Sequence, residues 1–122
     1  MFKRVLIANR CEIACRVART CRALGVEYVV VYTDADAKSP HIEGAVAAVN
    51  IGAGPALQSY LDGERIIAAA LESGCDAIHP GYGFLSENST FAAAVDAAGL
   101  IFVGPRPETI SILGDKARAK AL

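Results

Sequence analysis

Short apolar runs and stretches of helical periodicity alternate along this chain, and the alternation sets its predicted elements. Residues 3–8 (KRVLIA) form an apolar run bounded by charge, which predicts a first buried parallel strand. Ile13, Ala14, Val17, Ala18, Cys21 and Leu24 then mark one helical face, with Glu12, Arg16, Arg19 and Arg22 outside it. Gly25 is placed to end that helix in a left-handed cap. Residues 27–32 (EYVVVY), rich in β-branched side chains, read as a second strand. Ser39-Pro40-His41 suits a short helix with Pro40 at its first position.

Residues 46–51 fit a third strand, and Gly52-Ala53-Gly54-Pro55 a loop. Ile66, Ile67, Ala70 and Leu71 mark another amphipathic helix that ends at Gly74. Residues 76–79 are a fourth strand, Phe91, Ala92, Val95 and Ala98 the face of a third helix, and residues 101–103 a fifth strand. Residues 107–113 read as a short helix, and Asp115 can cap a further one. Strand, helix and strand with short joints imply right-handed crossovers and parallel pairing. The expectation is one doubly wound, Rossmann-like α/β domain over residues 1–122, with a mainly parallel sheet of about five strands.

Composition narrows the partners. An apolar share of 53% suits a packed globular core, and a formal charge of -1 offers no general field for nucleic acid or an anionic membrane. No apolar run approaches a membrane span. The chain starts at Met1 and enters a strand at once, so no signal or transit peptide is expected, and the location read from this is cytoplasmic. Cys11, Cys15, Cys21 and Cys75 lack paired metal spacing and sit within apolar patterns. They read as small core thiols in a reducing compartment, with no metal site.

Candidate chemistry concentrates in His79-Pro80-Gly81-Tyr82-Gly83-Phe84-Leu85-Ser86-Glu87-Asn88, the joint between the fourth strand and third helix. Parallel sheets bind ligands at such joints. Gly81 and Gly83 allow positive φ or close backbone approach, and Ser86 and Asn88 are both candidate helix caps. His79, at a strand end, suits a bond to nearby backbone. Arg10 follows the first strand, where a guanidinium can hold a carboxylate or phosphate or fix the neighbouring loop, with Glu12 and Glu87 as possible partners. Dinucleotide binding is disfavoured, because the first strand-to-helix turn, Ala8-Asn9-Arg10-Cys11, has no glycine. A P-loop is absent. A phospho-receiver is disfavoured because that turn has no acids, and Asp34 and Asp36 read as solvated loop residues.

Three motifs in order, Ile7-Ala8-Asn9-Arg10, His79 to Asn88, and Gly114-Asp115-Lys116, resemble the N-terminal domain of biotin carboxylase. The resemblance runs from about Lys3 to the last residue. It implies a pre-ATP-grasp domain of a ligase that carboxylates biotin on a carrier protein, within an acyl-CoA or pyruvate carboxylase. ATP, Mg²⁺ and bicarbonate serve the family reaction, with most of their ligands in a later lid and C-terminal domain that this chain does not include. It further implies that Lys116 binds ATP, that Tyr82 and Gly83 line the biotin pocket, and that Asn9, Arg10, His79, Gly81 and Glu87 shape the cleft. No catalytic or metal-binding residue is carried over. A biotin carboxyl carrier protein or domain, a carboxyltransferase component and a homodimer through the first helix are the implied partners. The isolated chain is expected to be inactive. The rival reading is a non-catalytic α/β module that binds a nucleotide or partner subunit.

The sequence departs from the family pattern in three places. Cys11 stands where the family has glycine, which predicts a crowded first turn and an exposed thiol. Val46-Ala47 replaces an acidic pair, and Ala23 replaces a charged residue on the helix implied in dimerisation.

Overall fold

The computed structural model describes residues 2–52, 61–81, 85, 86 and 88–103. In chain order the elements are β1 (Arg4–Ile7), α1 (Cys11–Leu24), β2 (Glu27–Tyr32), β3 (Ala47–Asn50), α2 (Gly63–Glu72), β4 (Ala77–His79), α3 (Ser89–Ala97) and β5 (Ile101–Phe102). Short 3-10 turns at Asp34–Asp36 and Pro40–Ile42 join β2 to β3. The strands lie in the order β3-β2-β1-β4-β5, and every pair is parallel. Five parallel strands in a doubly wound sheet match the sequence expectation.

Each strand of β1 and β2 feeds two cores, because alternate side chains leave opposite faces. Val5, Ile7, Tyr28 and Val30 pack under α1 with Ala14, Ala18 and Cys21. Leu6, Ala8, Val29 and Val31 pack under α2 and α3 with Ile66, Ala70, Phe91, Ala92 and Val95. The rings of Phe91 and Phe102 meet edge to face at 6.1 Å, which closes the β5 end of that second core. Leu6 and Ile7 are wholly buried; burying a side chain of this size contributes about 1.5–3 kcal/mol.

The helix ends follow local chemistry. Gly25 (φ 71°) donates to the Arg22 carbonyl and Val26 to that of Cys21, which together close α1 with a left-handed turn. Asp62 caps α2 by accepting from Arg65 N at 3.2 Å. Asn88, and not Ser86, caps α3 by accepting from Phe91 N at 2.9 Å. Two apolar positions assigned to buried helix faces are on the outside: Leu24 is 56% and Leu71 53% exposed. Both sit in the last turn of a helix. The cysteines also divide. Cys21 and Cys75 are buried core thiols, whereas Cys15 is half-buried and Cys11 exposed. Burial pushes the Cys75 thiol up to about 11, the Arg4 guanidinium opposing and Asp76 adding to the rise. The proposed helix at 107–113 lies outside the described residues.

Candidate functional site

β1 and β4 are neighbours, but β1 continues into α1 on one face of the sheet and β4 into α3 on the other. Chains that part in opposite directions leave a crevice beyond the strand ends, the usual ligand position in open α/β sheets. Asn9 and Arg10 follow the end of β1, and His79, Pro80 and Gly81 lie at and after the end of β4.

The two sides are tied together. Pairing extends one residue past β1, where Ala8 N donates to the His79 carbonyl at 2.9 Å. Asn9, 1% exposed, then uses both ends of its amide. Its Nδ2 donates to the Pro80 carbonyl at 2.9 Å, and its Oδ1 accepts from Arg10 N at 2.8 Å. Gly81 presses against the same side chain. It has φ 67°, and a Cβ there would lie 2.8 Å from Asn9 Nδ2 and 2.8 Å from Ile13 Cγ2. Only glycine meets both conditions.

His79 holds the turn from within. Its Nδ1 accepts from Gly81 N at 3.0 Å, so that nitrogen carries a lone pair and the neutral ring bears its proton on Nε2. Burial lowers the His79 pKa from the ordinary imidazole value, which favours this acceptor state. The strand-end histidine bonded to nearby backbone is therefore as the sequence implied.

Arg10 has a partner that the spacing of nearby acids did not suggest. Its Nη2 donates to Asp36 Oδ1 at 2.6 Å, rather than pairing with Glu12. Asp36 is 7% exposed, which corrects its reading as a solvated loop residue. A carboxylate withdrawn from water needs such a charged donor. The signal was available in principle, because β1 and β2 are adjacent and parallel, so the residues after their C-terminal ends are neighbours. Asp34, also in that turn, is exposed and accepts from Asn50 Nδ2 at 2.7 Å.

Cys11 opens α1 with φ 52°, the left-handed region that disfavours a side chain. The preceding Arg10 makes no side-chain capping bond, so α1 begins without the cap that α2 and α3 have. The structure thus brings Asn9, Arg10, His79 and Gly81 together and adds Asp36 and Ile13 to them. Tyr82, Gly83, Glu87 and Lys116 lie outside the described residues. Among the described residues, no three metal-ligating side chains cluster, and no helix is long and apolar enough to cross a membrane.

A five-stranded parallel sheet with this reversal of strand order defines a doubly wound α/β domain, without the glycine fingerprint of dinucleotide binders. Comparison with known proteins narrows the class. Residues 1–110 match the family described as biotin carboxylase, N-terminal domain, and the chain belongs to that family. It is 51% identical to a propionyl-CoA carboxylase alpha chain of Ruegeria pomeroyi over 100% of this chain and 18% of that one. It is 54% identical to a biotin carboxylase of Allochromatium vinosum, over 99% of this chain and 27% of that one. Among solved structures, the biotin carboxylase domain of a thermophilic 2-oxoglutarate carboxylase, bound to bicarbonate, superposes with a TM-score of 0.91 at 50% identity, covering 99% of this chain and 27% of that one. The chain thus spans roughly a fifth to a quarter of the length of these relatives.

Proposed function

We propose that this domain forms the N-terminal wall of the cleft in an ATP- and bicarbonate-dependent biotin carboxylase, acting with a biotin carboxyl carrier and a carboxyltransferase in an acyl-CoA or keto-acid carboxylase. The observation that carries the reading is the tied crevice, with the Asn9-Arg10 turn bonded to the His79-Pro80-Gly81 turn at the sheet's switch point, in a chain of this family. A related biotin carboxylase domain, from Hydrogenobacter thermophilus, is a dimer in complex with MgADP, ADP and bicarbonate.

In the proposed reaction, bicarbonate takes the γ-phosphoryl group of ATP to give carboxyphosphate and ADP. The carboxyl group then passes to the ureido nitrogen of biotin with loss of phosphate and the ureido proton. Mg²⁺, when bound, would neutralise phosphate charge. The described residues here contain no metal cluster, so no metal ligand is assigned to them. Their part is geometric. His79 and Asn9 fix the backbone of Pro80 and Gly81, and this holds the start of the segment containing Tyr82 and Gly83, assigned to the biotin pocket by resemblance. Glu87 is assigned with them to the shape of the cleft. Lys116 supplies an ammonium to ATP phosphate. The exposed side of α1, which carries Arg16, Arg19 and Arg22, is the face assigned to a homodimer. Free thiols at all four cysteines suit a reducing cytoplasm.

The test is made on the intact protein that carries this domain. It should carboxylate biotin in a reaction dependent on ATP, Mg²⁺ and bicarbonate, whereas residues 1–122 alone should show no bicarbonate-dependent ATP hydrolysis. In the intact protein, Lys116→Gln should raise the KM for ATP about ten- to a hundredfold, the equivalent of losing one charge-assisted contact. Failure of the wild-type protein to carboxylate biotin overturns the reading. An unchanged KM in Lys116→Gln removes Lys116 from it.

A further inference from the structure

We infer that Asp36 is a positioning residue for biotin carboxylation, acting through Arg10 and Asn9 on the Pro80–Gly81 turn. The inference rests on the proposed role of the segment that follows that turn. Asp36 is itself held firmly. Its N–H donates to the Thr33 carbonyl at 2.9 Å, and its carbonyl accepts from Ser39 N at 2.9 Å, so the carboxylate projects from a fixed turn. It reaches 26 residues back along the chain to grip Arg10 at 2.6 Å.

Arg10 is also joined to Asn9 through its backbone, the Arg10 N–H donating to Asn9 Oδ1 at 2.8 Å. Asn9 in turn has no spare orientation. A half-turn of its amide would set Oδ1 against the Pro80 carbonyl and Nδ2 against the Arg10 N–H, opposing acceptor to acceptor and donor to donor. Gly81 lies against that same amide without room for a Cβ. A series of contacts therefore runs from a buried carboxylate at the end of β2 to the turn after β4, and every step is a bond or a close contact. Asp36 touches no proposed substrate. Its effect is to keep the turn in place, and small misplacements of a binding segment are costly to rate.

The experiment compares wild type with Asp36→Asn in the intact protein. Asparagine keeps the shape but removes the charge that grips Arg10. Biotin-dependent turnover should fall about tenfold with a raised KM for biotin, since remote misplacement of about 1 Å costs up to about a hundredfold. Bicarbonate-dependent ATP hydrolysis measured without biotin should stay within about twofold, and amide exchange at Gly81 should quicken about tenfold. Equal loss of both half-reactions would mark Asp36 as a folding residue and overturn the inference, as would unchanged exchange at Gly81 or unchanged biotin kinetics. If Asp36→Asn does not fold, Asp36→Asn/Arg10→Gln removes both charges of the pair and is measured instead. The same loss is expected, and wild-type biotin kinetics in that folded double variant would overturn the assignment. Quickened Gly81 exchange in a protein whose wild type lacks biotin carboxylation would keep the linkage and reject only the functional reading.

Discussion

The two turns that face each other across the crevice bend the backbone the same way under opposite constraints. Cys11 follows β1 at φ 52°, and Gly81 follows β4 at φ 67°. At Gly81 there is no room for a side chain beside Asn9 and Ile13. At position 11 the side chain points into exposed surroundings. Positive φ by itself therefore does not require glycine; positive φ with a wall behind it does. This amends what the family resemblance suggested. Cys11 does expose a thiol, but what it costs the first turn is conformational strain, of the order of 1–3 kcal/mol for a side chain in this region.

The contrast is sharpest at Gly81. Gly81→Ala adds both strain and overlap and should destabilise the protein by about 2–4 kcal/mol, measured by urea unfolding. A loss below about 1 kcal/mol would mean that the wall gives way and the two turns are alike. Asn9→Ala removes one side of that wall along with the bonds to Pro80 and Arg10, and should cost about 1–3 kcal/mol. Combined with Gly81→Ala it should cost less than the sum, since the overlap with Asn9 Nδ2 is relieved while that with Ile13 remains; strict additivity would show that the Asn9 amide is not part of what excludes the alanine. Cys11→Gly should stabilise by about 1 kcal/mol, strain relief being partly offset by glycine's greater freedom when unfolded. A destabilised Cys11→Gly would place a packing role on the cysteine side chain.

The smallest effect is a pH dependence. Burial holds the folded His79 pKa below 6.5, the ordinary value. The unfolded chain therefore takes up the proton first as pH falls. Stability from this group is complete above that ordinary value and declines as pH drops through it toward the lower folded pKa. His79→Gln should flatten the fall in Tm between about pH 7 and 5. An unchanged slope would assign that dependence to another group.

Much of this architecture could be read in the chain because parallel strands buried on both faces are written as unbroken apolar runs. Residues 27–32 were delimited as observed, and the left-handed cap at Gly25 followed from its place after a periodic stretch. Leu24 and Leu71 misled because periodicity reports a helix face, not whether that face is covered in its last turn. The grouping of Asn9, Arg10, His79 and Gly81 came from the family resemblance, and the structure brings these four residues together. Asp36 was not legible, because its burial depends on a partner 26 residues away and an acid after a strand ordinarily faces water. Strand order supplies that missing distance, and local pattern does not contain it.

The all-parallel sheet also sets a timetable. Antiparallel neighbours can meet through a tight hairpin, whereas each parallel neighbour must wait for a crossover to be made. β1 can pair with β2 after one helix, but its other neighbour is β4, and the Asn9–Pro80 bond spans 71 residues. Contacts of such sequence separation form late, because the intervening chain must lose its freedom before they are made. During synthesis, β1, α1, β2 and β3 can therefore assemble while the other side of the crevice is still to emerge. Until β4 arrives, the central strand of the finished sheet is an edge, open along its length to pairing with another chain.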